Sequence, residues 1–143
     1  MTIARLMSNR EAGDVVTCAT SMVMRDAVAL LAEKRIGALP VMEGDRVAGI
    51  FSERDVIYCL KDGDTGTLDR SVREVMTAPA VTVAPGDSVM GALSLMTRRR
   101  IRHLPVVENG AVIGLVSIGD LVKYRIDRVE ADAAAMRNYI QQA

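Results

Sequence analysis

The chain of 143 residues contains no tryptophan, one phenylalanine, three tyrosines, two cysteines and a single histidine. So few aromatic side chains leave little for single-stranded nucleic acid to stack on. Equal totals of 18 basic and 18 acidic residues also remove the electrostatic footprint expected of a protein that coats nucleic acid or an anionic membrane. Cys18 and Cys59 lie far apart, without the close Cys/His spacing of zinc sites, and are expected to be buried, reduced thiols. No metal site is expected. His103 has no identifiable orienting acid or oxyanion hole, so the serines around it make no case for nucleophilic catalysis, and the chain is not expected to be an enzyme. No apolar run approaches the length of a membrane span. The first residues, with Arg5, Asn9, Arg10 and Glu11, lack the apolar segment of a signal peptide, which makes the cytoplasm the expected location.

What the sequence does have is a 50% apolar content built from Val, Leu, Ile, Ala and nine Met, enough for one ordinary domain or two very small ones. It also has an internal repeat. Gly49-Ile50-Phe51-Ser52-Glu53-Arg54-Asp55 returns as Gly114-Leu115-Val116-Ser117-Ile118-Gly119-Asp120, a shift of 120 − 55 = 65. The same shift carries Val16-Thr17 onto Val81-Thr82, Arg35-Ile36 onto Arg100-Ile101 and Leu39-Pro40-Val41 onto Leu104-Pro105-Val106. Upstream, Ile3 to Ser8 resembles Val72 to Thr77 at a shift of 69, so the first copy carries a loop insertion between Asn9 and Val15.

Each copy is expected to open with a short strand, at Val16-Thr17-Cys18 or Val81-Thr82-Val83, followed by a turn and an amphipathic helix. Val23, Ala27, Leu30 and Leu31 mark the apolar face of the first helix, and Val89, Leu93 and Met96 that of the second, which Asp87 or Ser88 can cap. Two hairpin strands come next, 38–42 with 46–52 and 103–107 with 111–117. Glu43-Gly44-Asp45 and Glu108-Asn109-Gly110 supply the turn chemistry. A last helix starts after Ser52 or Ser117. A unit of strand, helix, strand, strand, helix is too small to bury both faces of its sheet. The fold class expected is therefore α/β (α+β), with two repeats packed sheet to sheet about an approximate two-fold axis. The division expected is 1–61 for the first repeat, 62–70 for a linker, 71–125 for the second repeat and 126–143 for a helical extension. The linker superficially resembles a calcium loop, but the twelfth position counted from Asp62 is Arg73 where such a loop needs a bidentate Glu, so calcium is rejected. In the extension Val122, Ile126, Val129, Ala133, Met136 and Ile140 alternate spacings of four and three. That is a heptad seam whose partner is either the body of the protein or, preferentially, a second chain in a homodimer.

The repeated helix starts carry the chemistry. Unpaired N–H groups and the positive dipole end suit a phosphate, Ser52 or Ser117 caps the helix, and an exposed Asp55 or Asp120 one turn on can accept both hydroxyls of a ribose. Taken alone, each start also reads as a plainly capped helix. The cluster Arg98, Arg99, Arg100 and Arg102 reads first as a solvated helix end.

In this order and spacing the motifs Val-Thr, Arg-Ile-x-x-Leu-Pro-Val and Gly-x-x-Ser-x-x-Asp, each present twice, resemble a tandem pair of CBS domains of the cystathionine beta-synthase type, a Bateman module, from Ile3 to about Tyr124. The resemblance implies a regulatory sensor holding an adenosine-containing ligand (AMP, ADP, ATP, NAD(H) or S-adenosylmethionine) in two clefts between the repeats. It implies crossed sites: one built by Ser117 and Asp120 with Thr17, Ala38, Leu39 and Pro40, the other by Ser52, Arg54 and Asp55 with Thr82, Arg102, His103, Leu104 and Pro105. Arg54, Arg102 and His103 can converge on phosphates in the second site, while Gly119, Gly37 and Ala38 stand in their places in the first. No catalytic cofactor is implied. The alternative function is a structural dimerisation module with non-binding clefts, and the protein target of a sensor is not named by the sequence.

Overall fold

The computed structural model describes residues 1–8, 15–61 and 65–142. A short helix α1 (Ile3–Met7) leads into β1 (Cys18–Ala19), α2 (Met24–Lys34), the hairpin β2 (Ala38–Glu43) and β3 (Arg46–Ser52), and α3 (Glu53–Lys61). After a turn of 3-10 helix at Thr65–Asp69, the pattern returns as α4 (Val72–Val75), α5 (Val89–Arg99), the hairpin β4 (His103–Glu108) and β5 (Ala111–Ser117), and α6 (Ile118–Gln142). The first sheet runs β1-β2-β3, with β1 parallel to β2 and β2 antiparallel to β3. The second is β4 antiparallel to β5. The opening strand expected over 81–83 is reduced to one parallel bridge, Val83 with Val106.

Local chemistry accounts for these boundaries. Asn109 and Gly110 both have positive φ, 51° and 82°, so the two-residue loop adopts the mirror-image turn that matches strand twist. Both copies of Arg-Ile end a helix the same way. Arg35 and Arg100 take the left-handed conformation, at φ 53° and 55°, and the next N–H turns back, from Ile36 to the Leu31 carbonyl and from Ile101 to the Met96 carbonyl, each at 3.1 Å. Ser88 caps α5 by accepting from the Gly91 N–H at 2.9 Å. In α2 the inward face is Met24, Ala27 and Leu31; Val23, expected on that face, is instead the exposed residue before the first turn.

Two apolar cores form, and each is completed by the short helix that leads the other repeat. Ile3 of α1 is buried among Val89, Met96, Leu104, Val116 and Leu121 of the second repeat, while Val72 and Val75 of α4 are buried among Met24, Leu31, Leu39 and Phe51 of the first. Backbone bonds seat these helices: Ile3 N–H donates to the Asp87 carbonyl at 2.9 Å, and Val72 N–H to the Met22 carbonyl at 2.8 Å. The glycine of the repeated stretch makes room for them. A Cβ on Gly49 would sit 2.6 Å from the Thr77 carbonyl oxygen, and Gly114 faces the Met7 side chain in the equivalent place. The sheets meet through β3 and β5, which gives the two-repeat α/β arrangement expected.

In the segment between the repeats Thr67 is buried and Leu68 packs on the first core; residues 62–64 lie outside the described residues, as does most of the loop insertion before Val15. Cys59 is half-buried on α3, whereas Cys18 is buried as expected, with burial pushing its thiol up to about 11.

Candidate functional site

The two strand-to-helix junctions place Ser52 opposite Ala38 and Ser117 opposite His103, so each repeated serine stands beside the first residue of its own hairpin's Leu-Pro strand. The junctions are closed by backbone bonds from Glu53 N–H to the Gly37 carbonyl, 3.1 Å, and from Ile118 N–H to the Arg102 carbonyl, 2.8 Å. Leu39 and Leu104 are wholly buried in the two cores, and Ala38, Pro40 and Pro105 are buried as well. The leucine side chains thus point into the cores, leaving the backbone of these strands as what they can offer a ligand.

The aspartates are not alike. Asp120 and Ser117 form a reciprocal cap: Ser117 N–H donates to the Asp120 carboxylate at 2.9 Å and Asp120 N–H donates to Ser117 Oγ at 3.1 Å. Asp120 is half-buried. Asp55, expected to be exposed, is only 8% exposed. Its carboxylate accepts from Ser52 N–H at 2.9 Å, Ser52 Oγ at 3.2 Å and Thr77 Oγ1 at 2.8 Å. The reason is the helix exchange, since the chain leaving α4 bridges Thr77 to Ile50 and brings the Thr77 hydroxyl over the start of α3. Thr77 was not among the residues singled out in the sequence. Its alignment with Ser8 at the shift of 69 was the available signal.

Two side-chain contacts between the repeats fall at the corner where α5 meets β4. Arg54 Nη1 donates to the Arg100 carbonyl at 2.8 Å, reaching from the start of α3 to the left-handed C-cap of α5. The half-buried His103 ring lies against Gly37, where a Cβ would be 3.1 Å from His103 Cε1 and 3.1 Å from Glu53 Oε1. Burial pushes the His103 imidazole below the ordinary histidine range, the nearby Glu53 and Asp120 carboxylates pull the other way, and Arg102 adds to the lowering. The structure therefore brings Arg54 and Glu53 of the first repeat to Arg100 and His103 of the second. Glu53 is a further residue at this corner that the spacing of the motifs does not identify, and Gly37, named in the sequence with the first site, lies here against His103. Thr17 is half-buried and Thr82 exposed, each just before its repeat's opening strand or bridge. Among the described residues, no group of three His, Cys, Asp or Glu side chains is placed to hold a metal, and no helix is long and apolar enough to cross a membrane.

The sequence model of the CBS domain matches residues 3–62 and 72–127, which is most of the chain. The chain belongs to the CBS domain family. A CBS-domain protein from Burkholderia ambifaria MC40-6 has a solved structure similar at TM-score 0.82 and 40% identity, covering 89% of this chain and 95% of that one. The mitochondrial CBS domain-containing protein CBSX3 of Arabidopsis thaliana is 34% identical over 134 residues, 90% of this chain and 65% of the relative, so this chain spans just under two thirds of that protein's length. CBSX2, solved in complex with AMP, is similar at TM-score 0.75 and 25% identity over 88% of this chain and 96% of that one. The sites described above lie at the strand-to-helix junctions of the two CBS repeats.

Proposed function

We propose that this CBS pair is a regulatory sensor that binds an adenosine-containing ligand, AMP, ADP, ATP or NAD(H), in clefts between its repeats and acts as a cytoplasmic homodimer on a protein target. Occupancy would shift the packing of one repeat on the other and so alter the surface offered to that target. The observation that carries this reading is the pair of equivalent helix starts, each with a serine and an aspartate, one of them met across the repeat boundary by the Arg100 carbonyl, which takes the Arg54 hydrogen bond, and by the His103 ring near Glu53. The similarity to a CBS protein solved with AMP supports it.

The proposed sites are crossed. One site uses Ser117 and Asp120 with Thr17, Ala38, Leu39 and Pro40, and the other uses Ser52, Arg54 and Asp55 with Thr82, Arg102, His103, Leu104 and Pro105. A carboxylate has about four lone-pair positions, and Asp55 already uses three within the protein, so a ribose at that site would have to share or displace them. A phosphate at the second site would compete with the Arg100 carbonyl for Arg54, which couples ligand to the contact between repeats. A panel of AMP, ADP, ATP and NAD tested by thermal melting decides the matter, because a ligand at a hundredfold excess over its Kd adds about 2.7 kcal/mol of stability. Melts that do not move with any of the four at millimolar concentration would discard the sensor reading.

The second reading, a structural dimerisation module, is favoured by that same saturation of Asp55, which gives the carboxylate a folding role that needs no ligand. It predicts the flat melts.

A further inference from the structure

The first turns of α6 dock on the second repeat through Leu121, which is wholly buried, and Tyr124, which packs on the same core. From Arg125 onward every described residue of the helix is exposed. The body of the chain, among the described residues, is therefore not the partner of the heptad seam. Val122, Ile126, Val129 and Met136 are 43%, 51%, 49% and 60% exposed, and with Ala133 and Ile140 they form a stripe centred about a quarter turn round the helix from Leu121. A free helix of this length with an apolar stripe of six residues is unsatisfied until a second helix covers it.

The charges beside the stripe identify that helix. With Ile126, Ala133 and Ile140 at one seam position and Val122, Val129 and Met136 at the other, Arg125 and Asp132 flank one side of the stripe, and Glu130 and Arg137 the other. In a parallel, in-register pair each flanking residue meets the opposite flank five positions on. Arg125 then faces the partner's Glu130, and Asp132 faces the partner's Arg137; both pairs are attractive and both occur twice by symmetry. An antiparallel pair that overlaps the whole stripe, with Val122 opposite the partner's Ile140, does the reverse. It sets Glu130 against the partner's Glu130, Asp132 against the partner's Asp132 and Lys123 against the partner's Arg137. We propose that α6 forms a parallel, in-register two-stranded coiled coil with a second copy of this chain, holding two CBS pairs side by side at the same end of the coil. This rests on the self-association in the proposed function and not on ligand binding.

Cross-linking through one introduced cysteine, in a Cys59→Ser background where the remaining Cys18 is buried, tests the orientation. Val122→Cys and Ile140→Cys sit at opposite ends of the stripe, and each should form a disulfide-linked dimer with itself on mild oxidation, since like residues meet in a parallel pair. At about 1.5 Å rise per residue, an antiparallel pair within the stripe keeps the two 140 positions roughly 15 Å or more apart. Cross-linking only when the two variants are mixed overturns the parallel arrangement. Sedimentation equilibrium gives the second arm: Arg125→Glu should weaken dimerisation roughly tenfold by making two flanking pairs repulsive, and adding Glu130→Arg should restore it. A double variant weaker than the single one contradicts the pairing. A dimer that persists while neither cysteine variant cross-links overturns the coiled coil but leaves self-association standing, and a monomer overturns both.

Discussion

Replacing Asp55 by alanine removes a carboxylate that takes three hydrogen bonds at 8% exposure, two of them from Ser52 and one from Thr77 across the seated end of α4. Loss of the cap interaction with Ser52 costs about 1 kcal/mol, and loss of the charge-assisted bond from Thr77 about 1.5 kcal/mol more, so the variant should be destabilised by roughly 2.5 kcal/mol. That is a sizeable part of a stability of about 5–15 kcal/mol. Urea unfolding of the wild type, Asp55→Ala, Thr77→Val and the double variant forms a cycle that isolates the cross-element bond. The two substitutions should be coupled by about 1 kcal/mol, because either one alone already breaks the Thr77–Asp55 contact. The urea dependence should stay unchanged, since the exposed surface of the unfolded state is the same. Additivity within about 0.3 kcal/mol, or an Asp55→Ala protein as stable as the wild type, would refute the assignment of Asp55 to the framework.

Three further outcomes follow from the same geometry. Because burial holds the folded-state pKa of His103 below its unfolded value, the unfolded chain binds the extra proton first; stability is therefore present above about pH 6.5 and falls as pH drops below it. His103→Gln should flatten that part of the stability profile, and an unchanged slope would exclude His103 as its source. Gly49→Ala drives a methyl group to 2.6 Å from a backbone carbonyl and should cost about 1–3 kcal/mol, whereas Gly114→Ala meets the flexible end of Met7 and should cost less; chemical denaturation ranks them, and the opposite order contradicts the account of the exchanged helices. Cys18, with its thiol raised to about 11 by burial, should resist a thiol reagent in the native state while half-buried Cys59 reacts, with mass spectrometry of the labelled peptides as the readout.

The sequence repeat is enough to place both hairpins and the helix starts at Ser52 and Ser117, because strand alternation, the Gly44-Asp45 and Asn109-Gly110 turns and Ser-x-x-Asp caps are local signals. The exchange of α1 and α4 was not legible. It depends on which core each short helix enters, and the pattern Ile3 to Ser8 reads the same whichever repeat it packs on. Burial of Asp55 is illegible for the same reason, since its third donor, Thr77, lies 22 positions away and arrives only through that exchange. The exposed aspartate expected from the motif is half true at Asp120 and untrue at Asp55. The repeated glycines show the same limit. Gly49 and Gly114 were visible as a repeated pair, but the methionines they accommodate, Met76 and Met7, belong to segments whose docking no local pattern specifies.

Titration calorimetry of AMP against the wild type, Asp120→Ala and Arg102→Ala tests the central claim most directly. The account predicts saturable binding to the wild type, with Asp120→Ala weakening one site about ten- to a hundredfold through loss of a charge-assisted ribose contact. Arg102→Ala should weaken the other site, and added salt should imitate it. Absence of binding heat from AMP at millimolar concentration would contradict the claim that these clefts hold an adenosine ligand, and a loss at one and the same site in both variants would contradict the crossed pairing.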